Sequence, residues 1–167
     1  MTSIFLLFLL IFLVILSGFL SGSETAITAT SKARILYKKK KGSKRAKYVL
    51  ELLDKKDNVI STLLLSNNLV NILASSLATA FFYDLFGVEG IFYATLIMTV
   101  VIVIFAEVLP KTYAINRPNR TALLISPIIY YLKKTLFIFV FFINIIVRLI
   151  FRKNENNILN KDIQSEE

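Results

Sequence analysis

Three long apolar stretches, separated by shorter polar segments, dominate the pattern of residues along the chain. They lie near residues 4–20, 59–83 and 91–109. A helix that crosses a membrane needs about 20 mostly apolar residues. No basic residues precede the first stretch, although a signal peptide would begin with them. The pattern therefore predicts an all-α integral membrane protein with three transmembrane helices.

Residues 24–57 carry the densest positive charge in the chain, including the run KKKKGSKRAK. Apolar residues recur there at helical spacing, at Tyr48, Val49, Leu52 and Leu53. The segment is predicted to form a cytoplasmic helical hairpin against the inner face of the membrane. A nucleic-acid-binding arm is the alternative explanation of the net charge of +9. The excess of Lys and Arg on cytoplasmic loops already explains the charge, so we expect no nucleic-acid partner.

The same rule predicts the topology of the chain. The short loop DLFGVEG is acidic through Asp84 and Glu89, and basic residues return after the third apolar stretch. We therefore expect the N-terminus outside and the C-terminus in the cytoplasm.

Residues 121–151 are apolar but are divided by Lys133 and Lys134, so neither piece is long enough to span unaided. They are predicted to form juxtamembrane helices that lie in the membrane interface. One tilted fourth span over residues 132–151 remains the alternative. Residues 152–167 are polar and are predicted to be a linker or tail.

The composition limits the possible chemistry. The chain is 56% hydrophobic, its mean hydropathy is +0.67, and it contains neither Cys nor His. It therefore lacks thiolates, imidazole metal ligands and the commonest general base, and we expect no enzyme activity. A bound metal would need oxygen ligands, which favour hard cations such as Mg²⁺, Ca²⁺ or Na⁺.

Three polar clusters interrupt the apolar stretches, and the first is SGSET. Ser21 and Glu24 match the capping-box pattern S-x-x-E, which closes the start of a helix. Gly18 and Gly22 permit either a break or a close backbone approach. The cluster predicts that the first helix ends here and is capped, while Ser23 remains without a structural role.

The second cluster is LLLSNNLVN. Asn67 and Asn71 lie one helical turn apart beside Ser66, whereas Asn68 points elsewhere on the helix. Hydrocarbon satisfies none of the hydrogen bonds of an asparagine amide. Hydrogen bonding between packed helices is one explanation, and an ion site is the other.

The third cluster is AEVLPK. Pro110 has no N–H, so the carbonyl of Ala106 is expected to lose its helical partner beside the carboxylate of Glu107. Broken helices whose carbonyls face a cavity bind cations in transporters. The alternative is that Glu107 pairs with Lys111 at the interface. The predicted topology places all three clusters in the inner half of the membrane, where they could form one all-oxygen site.

The segments FLSGSETAITATSKARI, LLLSNNLVNILASSLATA and AEVLPKTYAINRP resemble the transmembrane domain of the CNNM/CorC family, the cyclin M proteins and their bacterial relatives. The resemblance covers about residues 4–150. It implies a homodimeric Mg²⁺ transporter of the plasma (inner) membrane, generally an exporter coupled to Na⁺, that works by alternating access. It also implies a cytoplasmic CBS-pair domain that this chain lacks. No glycine-rich phosphate loop is present, so we expect no nucleotide site in the chain itself.

The resemblance also implies which residues hold the ion, with Mg²⁺ or Na⁺ as the bound species. Asn67 is favoured over Asn68 within the asparagine motif, and Ala106 stands where the family commonly has glycine. A membrane scaffold or sensor that regulates partner transporters is the alternative function. Together, the resemblance and the clusters give these candidate ligands: Ser21, Gly22, Ser23, Ser66, Asn67, Asn71, Ala106 and Glu107. Gly18, Glu24 and Pro110 are assigned to the predicted helix breaks and cap.

Overall fold

The structure, a computed structural model, describes residues 2–135. Within this range the secondary structure is helical, without strands. Three continuous helical segments are long and apolar enough to cross a membrane: Ile4–Ala29, Lys56–Phe86 and Glu89–Asn116. The predicted all-α membrane fold with three spans is therefore confirmed. The elements are α1 (Thr2–Ala29), α2 (Lys32–Lys40), α3 (Lys44–Asp54), α4 (Lys56–Phe86), α5 (Glu89–Val101), a π-helical segment (Ile102–Val108), α6 (Leu109–Asn116) and α7 (Pro118–Thr135).

The helix α1 continues through the SGSET cluster, so the predicted break and cap are wrong. Glu24 lies inside the helix and is not at the start of a new one. The hydroxyl of Ser23 donates to the carbonyl of Phe19 in the preceding turn, 2.6 Å away. Gly18 and Gly22 instead serve close packing, described below, which offsets the roughly 1 kcal/mol that each glycine costs inside a helix.

A tight turn joins the second and third spans. It begins at Gly87, whose φ of 64° suits the residue after a helix end. Gly90 then lies so close to the carbonyl of Phe82 that a Cβ atom would collide with it. The predicted loop between these spans is therefore short, and α4 and α5 pack against each other as an antiparallel pair.

The third span changes its helical pitch where the sequence predicts a break. Residues Ile102–Val108 are π-helical, and the N–H of Leu109 donates to the carbonyl of Ile104, five residues back. Pro110 lies in the first turn of α6, where a missing N–H is tolerated. The chain remains helical, so the change at the proline is a wider turn and not an interruption. Single π-helical turns of this kind often occur at functional sites.

The basic segment forms the helical pair α2 and α3, joined by a turn at Gly42 with a φ of 85°. The two helices pack against each other, and α3 buries one face against α7. The ammonium of Lys32 lies 2.7 Å from the carboxylate of Asp54, but both side chains are 60% exposed. Exposed pairs of this type contribute about 0–1 kcal/mol. Burial of the apolar face is therefore the main attachment of this pair, through Ala46, Val49, Leu50 and Leu52.

The helix α7 is fixed at the end of the bundle that carries the basic pair. Its first residues bind the α1–α2 junction, because Thr30 donates to the Pro118 carbonyl at 3.2 Å and the Ser31 N–H donates to Asn119 Oδ1 at 3.0 Å. Ile125 and Ile129 are buried, and α7 packs on α1 and α3. The rest of the predicted interfacial belt, the alternative fourth span and the polar tail lie outside the described residues.

Candidate cation site

Two of the predicted asparagines meet one serine of α1 inside the helical bundle. Ser17 Oγ lies 2.8 Å from Oδ1 of Asn67 and 2.6 Å from Oδ1 of Asn71. Ser17 is fully buried, Asn67 is buried and Asn71 is half-buried. These contacts join α1 to α4, so the interpretation that the asparagines bond between helices holds in this structure. We name Ser17, Asn67 and Asn71 the oxygen cluster.

Where the oxygen cluster meets, three oxygens share one hydroxyl proton, because the N–H donors of each asparagine are on the other amide atom. A serine hydroxyl carries one proton, so Ser17 can donate to only one of the two amide carbonyls at a time. The other carbonyl then faces a hydroxyl oxygen without a proton between them. A cation placed among these three oxygens would satisfy both carbonyls together, which the single hydroxyl proton cannot do.

Ser21 lies one turn after Ser17 on the same helix and carries an orphaned hydroxyl. It is completely buried, and Oγ of Ser21 has no hydrogen-bond partner within residues 2–135. A buried polar group without a partner costs roughly 1–3 kcal/mol and requires an explanation. A ligand held at this position would supply one, so the predicted site residue Ser21 fits a role in binding.

The hydroxyls of Ser66 and Ser23 are bound within their own helices. Ser66 is buried and donates to the carbonyl of Thr62 at 2.7 Å, whereas Ser23 donates to Phe19. Each oxygen keeps lone pairs that could bind a cation. Ser66 adjoins Asn67 in sequence, but no described contact brings Ser23 to the oxygen cluster. Asn68 is exposed and makes no hydrogen bond with the oxygen cluster, in agreement with the prediction that it points elsewhere on the helix.

The third span reaches this region through two glycines of α1. A Cβ atom on Gly18 would lie 3.1 Å from the Phe105 carbonyl oxygen and 3.2 Å from Cγ of Pro110. A Cβ atom on Gly22 would lie 3.3 Å from both Cβ and the carbonyl oxygen of Pro110. The G-x-x-x-G spacing thus lets two membrane helices approach closely. Ala106, fully buried, lies against Gly18.

The arrangement of α1 brings two of the predicted clusters to the same helix. Ser17 and Ser21 lie one turn apart, and Ser17 contacts α4. Gly18 and Gly22 follow directly after these serines in the chain, and both contact the third span. The helix α1 therefore lies between the asparagine motif and the Ala106–Pro110 segment.

Glu107 is half-buried and has neither an ion pair nor a hydrogen bond within the described residues. The ion pair between Glu107 and Lys111 that the sequence allowed is absent there. Within the described residues, no hydrogen bond joins Glu107 to the oxygen cluster. No group of three or more Asp, Glu, His or Cys residues occurs within residues 2–135. A cation held here would therefore depend mainly on neutral oxygens.

The polar stripe of α4 continues away from the oxygen cluster. Ser75 and Thr79 lie one and two turns beyond Asn71, and they line a groove of about 320 Å³ between α4 and the third span. Thr95 and Thr99 contribute hydroxyls from α5. Ser75, which shares the helical face of the asparagines, therefore belongs to this groove and not to the oxygen cluster.

Sequence reasoning did not identify Ser17, although a signal was available. Ser17 precedes Ser21 by four residues, so the two hydroxyls share one face of a continuous helix. The predicted break at SGSET concealed that relationship, because a break removes the common face.

Comparison with known proteins identifies the family of the chain. The profile of the family described as CNNM, the cyclin M transmembrane N-terminal domain, matches residues 8–166. The chain belongs to the cyclin M family. This cyclin M domain is 40% identical over 137 residues to the UPF0053 inner membrane protein YfjD of Escherichia coli, covering 82% of this chain and 32% of that protein. It is 36% identical over 143 residues to a UPF0053 protein of Haemophilus influenzae, covering 86% and 34% respectively.

A more distant relative comes from a plant. A chloroplastic DUF21 domain-containing protein of Arabidopsis thaliana is 30% identical over 107 residues, covering 64% of this chain and 16% of that protein. The chain spans about a third of the length of its bacterial relatives. The family model that it matches is that of a transmembrane N-terminal domain.

Proposed function

We propose that this cyclin M domain carries Mg²⁺ across the membrane and that it exports the ion in exchange for Na⁺. The observation that supports this most directly is the oxygen cluster, in which two amide carbonyls converge on one hydroxyl beside the orphaned Ser21. Two carbonyl oxygens and a serine hydroxyl in a bilayer suit a hard cation, for which oxygen ligands are preferred.

The proposed ligands divide by chemical role. Asn67 and Asn71 contribute amide carbonyls, while Ser17, Ser21 and Ser66 contribute hydroxyl oxygens. Mg²⁺ retains several waters when it binds to proteins, so the side chains need to replace only part of its hydration shell. We assign the formal negative charge to Glu107 and a backbone oxygen to Ala106, which reach the ion when the third span moves against α1. Gly22 and Ser23 remain candidates whose contribution would come from the adjoining backbone of α1.

The proposed transport uses alternating access. The Gly18–Pro110 contact is close enough that a small movement of the π-helical segment would change how the third span packs on α1. Expelling a divalent cation against a negative-inside potential costs about 4–5 kcal/mol per 100 mV. Na⁺ entering down its gradient can supply that free energy, which is why we favour exchange over a passive pathway.

We place the domain in the plasma (inner) membrane, with its N-terminus outside and its basic helices in the cytoplasm. The Escherichia coli relative is named as an inner membrane protein, which supports this location. We further propose that the domain acts as a homodimer and that the full-length protein adds a CBS-pair domain. The domain would have no catalytic role of its own.

A second function is favoured by one observation. The contacts of Ser17 with Asn67 and Asn71 are also hydrogen bonds between α1 and α4, which can join the two helices by themselves. A membrane scaffold or sensor that regulates partner transporters would use the asparagines in this way only. The two functions therefore differ in whether the oxygen cluster binds a cation.

Mg²⁺ efflux from liposomes that contain the full-length protein distinguishes these functions. We expect the protein to move Mg²⁺ when an opposing Na⁺ gradient is imposed, and we expect Asn67→Ala to abolish the movement. The matched control is Asn68→Ala, since Asn68 is exposed on the same helix. Efflux that survives Asn67→Ala would exclude the assigned site, and absence of efflux in the unmodified protein would favour the scaffold.

A further inference from the structure

A basic groove of about 640 Å³ lies on α2 and shares no lining residue with the oxygen cluster. Its charged lining comes from Arg34, Lys38 and Lys41, and no acidic residue lines it. Arg34 and Lys38 are one helical turn apart, and Lys41 follows after nearly another turn, so the three cations share one face. The other lining residues are Ala33 and Tyr37.

Tyr37 helps to position one of these cations. The ammonium of Lys41 lies 4.7 Å from the centre of the Tyr37 ring, a cation–π contact. Lys41 is the residue at the end of α2, and its N–H donates to the carbonyl of Tyr37 at 3.1 Å. The ring and the backbone bond hold the side chain of Lys41 over the groove, where it adds to the charge of Arg34 and Lys38.

The surroundings of the groove do not neutralise its charge. Residues 32–54 contain nine Lys or Arg against two acids, Glu51 and Asp54. Asp54 is already paired with Lys32. The groove therefore has a local excess of positive charge, and that excess would attract a phosphate or another anion.

The location of the groove limits which anion reaches it. The helix α2 begins three residues after α1 ends at Ala29, so it lies at the membrane end of a span. It buries only Ile35, whereas Leu36 and Tyr37 are 43% and 59% exposed. Exposed apolar side chains among basic ones are typical of helices that lie in the headgroup region of a membrane.

We propose that the α2 groove binds the phosphate headgroup of an anionic lipid from the leaflet that faces this end of the bundle. Basic clusters directly beside a transmembrane helix attract anionic lipids over zwitterionic ones. Arg34 can hold the phosphate with paired N–H donors, while Lys38 and Lys41 add point charges. Leu36 and Tyr37 would lie at the level of the upper acyl chains. The binding would anchor α2, and with it the α1–α2 junction that holds the start of α7.

Two triple variants of equal charge test the groove itself. The groove variant carries Arg34→Gln, Lys38→Gln and Lys41→Gln. The control variant carries Lys39→Gln, Lys40→Gln and Lys44→Gln, which remove the same charge from neighbouring residues that do not line the groove. Each full-length protein is placed in nanodiscs that contain phosphatidylcholine with or without phosphatidylglycerol, and the lipids retained after extraction are counted by native mass spectrometry.

We expect the unmodified protein and the control variant to retain phosphatidylglycerol about tenfold more than phosphatidylcholine. The groove variant should lose most of that preference. Equal loss in both triple variants would overturn the proposal, because the attraction would then come from diffuse charge. Release of phosphatidylglycerol by millimolar inorganic phosphate at constant ionic strength would also overturn it, since the groove would then favour a soluble anion. Neither result depends on whether the protein transports Mg²⁺.

Discussion

Ser17 Oγ lies 2.8 Å from Oδ1 of Asn67, although the two residues are 50 positions apart in the chain. The same hydroxyl lies 2.6 Å from Oδ1 of Asn71. The contact links α1 to α4, but the one hydroxyl proton can serve only one of the two carbonyls at a time, so one carbonyl lacks a hydrogen bond from Ser17. That incompleteness is the physical basis for assigning a cation to the oxygen cluster.

Ser17→Ala should lower the free energy of unfolding by about 1 kcal/mol, because it leaves two amide carbonyls without their shared partner. The measurement is unfolding of the purified protein in mixed detergent micelles. The matched control is Ser23→Ala, since Ser23 is equally buried on α1 but bonds only within its helix. A loss for Ser23→Ala as large as that for Ser17→Ala would show that the link between helices contributes nothing of its own.

Gly18→Ala should destabilise the protein by a net amount of about 1 kcal/mol, because its new methyl group would meet the rigid Phe105 carbonyl and Cγ of Pro110 at a cost larger than the roughly 1 kcal/mol of helix propensity that alanine regains. Gly22→Ala should cost less, since its nearest atoms lie at 3.3 Å. Both values come from the same unfolding experiment.

A double-mutant cycle with Pro110→Ala identifies the contact. The substitution removes Cγ of Pro110 but keeps its Cβ and carbonyl, so it should partly restore Gly18→Ala and should leave Gly22→Ala unrelieved. Equal relief of both glycine variants would contradict the described packing of α1 on the third span.

Glu107→Gln should abolish Mg²⁺ efflux from liposomes, because it removes the formal negative charge that we assign to the ion site. Lys111→Gln should leave efflux nearly unchanged, since Lys111 forms no ion pair with Glu107 in the described residues. Equal loss in both variants would indicate that Glu107 acts through a pair with Lys111 and not on the ion.

Lys133 on α7 should make stability depend on pH. Burial, and then the positive charge of Lys55, hold the pKa of Lys133 below its usual value of 10.5. The unfolded chain therefore binds more protons between the lowered pKa and 10.5, and the free energy of unfolding should rise as pH increases through this window.

Lys133→Gln removes this effect. The variant should be more stable than the unmodified protein near neutral pH, because it has no charge to bury. The gain should be no more than about 1 kcal/mol, since the side chain is largely solvated. Its advantage should shrink in high salt and at alkaline pH. Thermal unfolding at two pH values and two salt concentrations tests this, with Lys39→Gln as the control. An advantage that does not depend on pH would mean that the charge of Lys133 is not its cause, and one that does not depend on salt would mean that repulsion from Lys55 contributes little beside burial.

The three spans could be predicted from the sequence because hydrocarbon requires long apolar helices, and the chain provides three. The continuity of α1 could not be predicted from the sequence. The pair Ser21 and Glu24 matches a local capping pattern, but tertiary packing of Gly18 and Gly22 on the third span decides the outcome. A local sequence pattern cannot show whether a glycine breaks a helix or lets two helices pack closely.

The sequence could indicate some residues of the candidate site. Asn67 and Asn71 were expected to need partners, because polar groups in an apolar segment do, whereas Ser21 was named from the capping pattern and the resemblance. Ser17 was missed, since the predicted break separated it from Ser21. The π-helical segment had no local signal either: a proline predicts a missing hydrogen bond, but the wider turn before Pro110 depends on how the third span meets α1.

A thermal shift of the purified protein shows whether the oxygen cluster binds a cation. The protein in detergent is titrated separately with Mg²⁺ and Na⁺ at constant ionic strength, beside Asn67→Ala and the control Asn68→Ala. An ion that binds only the folded state raises its stability in a saturable way. We expect saturable stabilisation by Mg²⁺ that Asn67→Ala removes and Asn68→Ala retains. Stabilisation by neither ion, or an equal response in both variants, would mean that the oxygen cluster binds no cation.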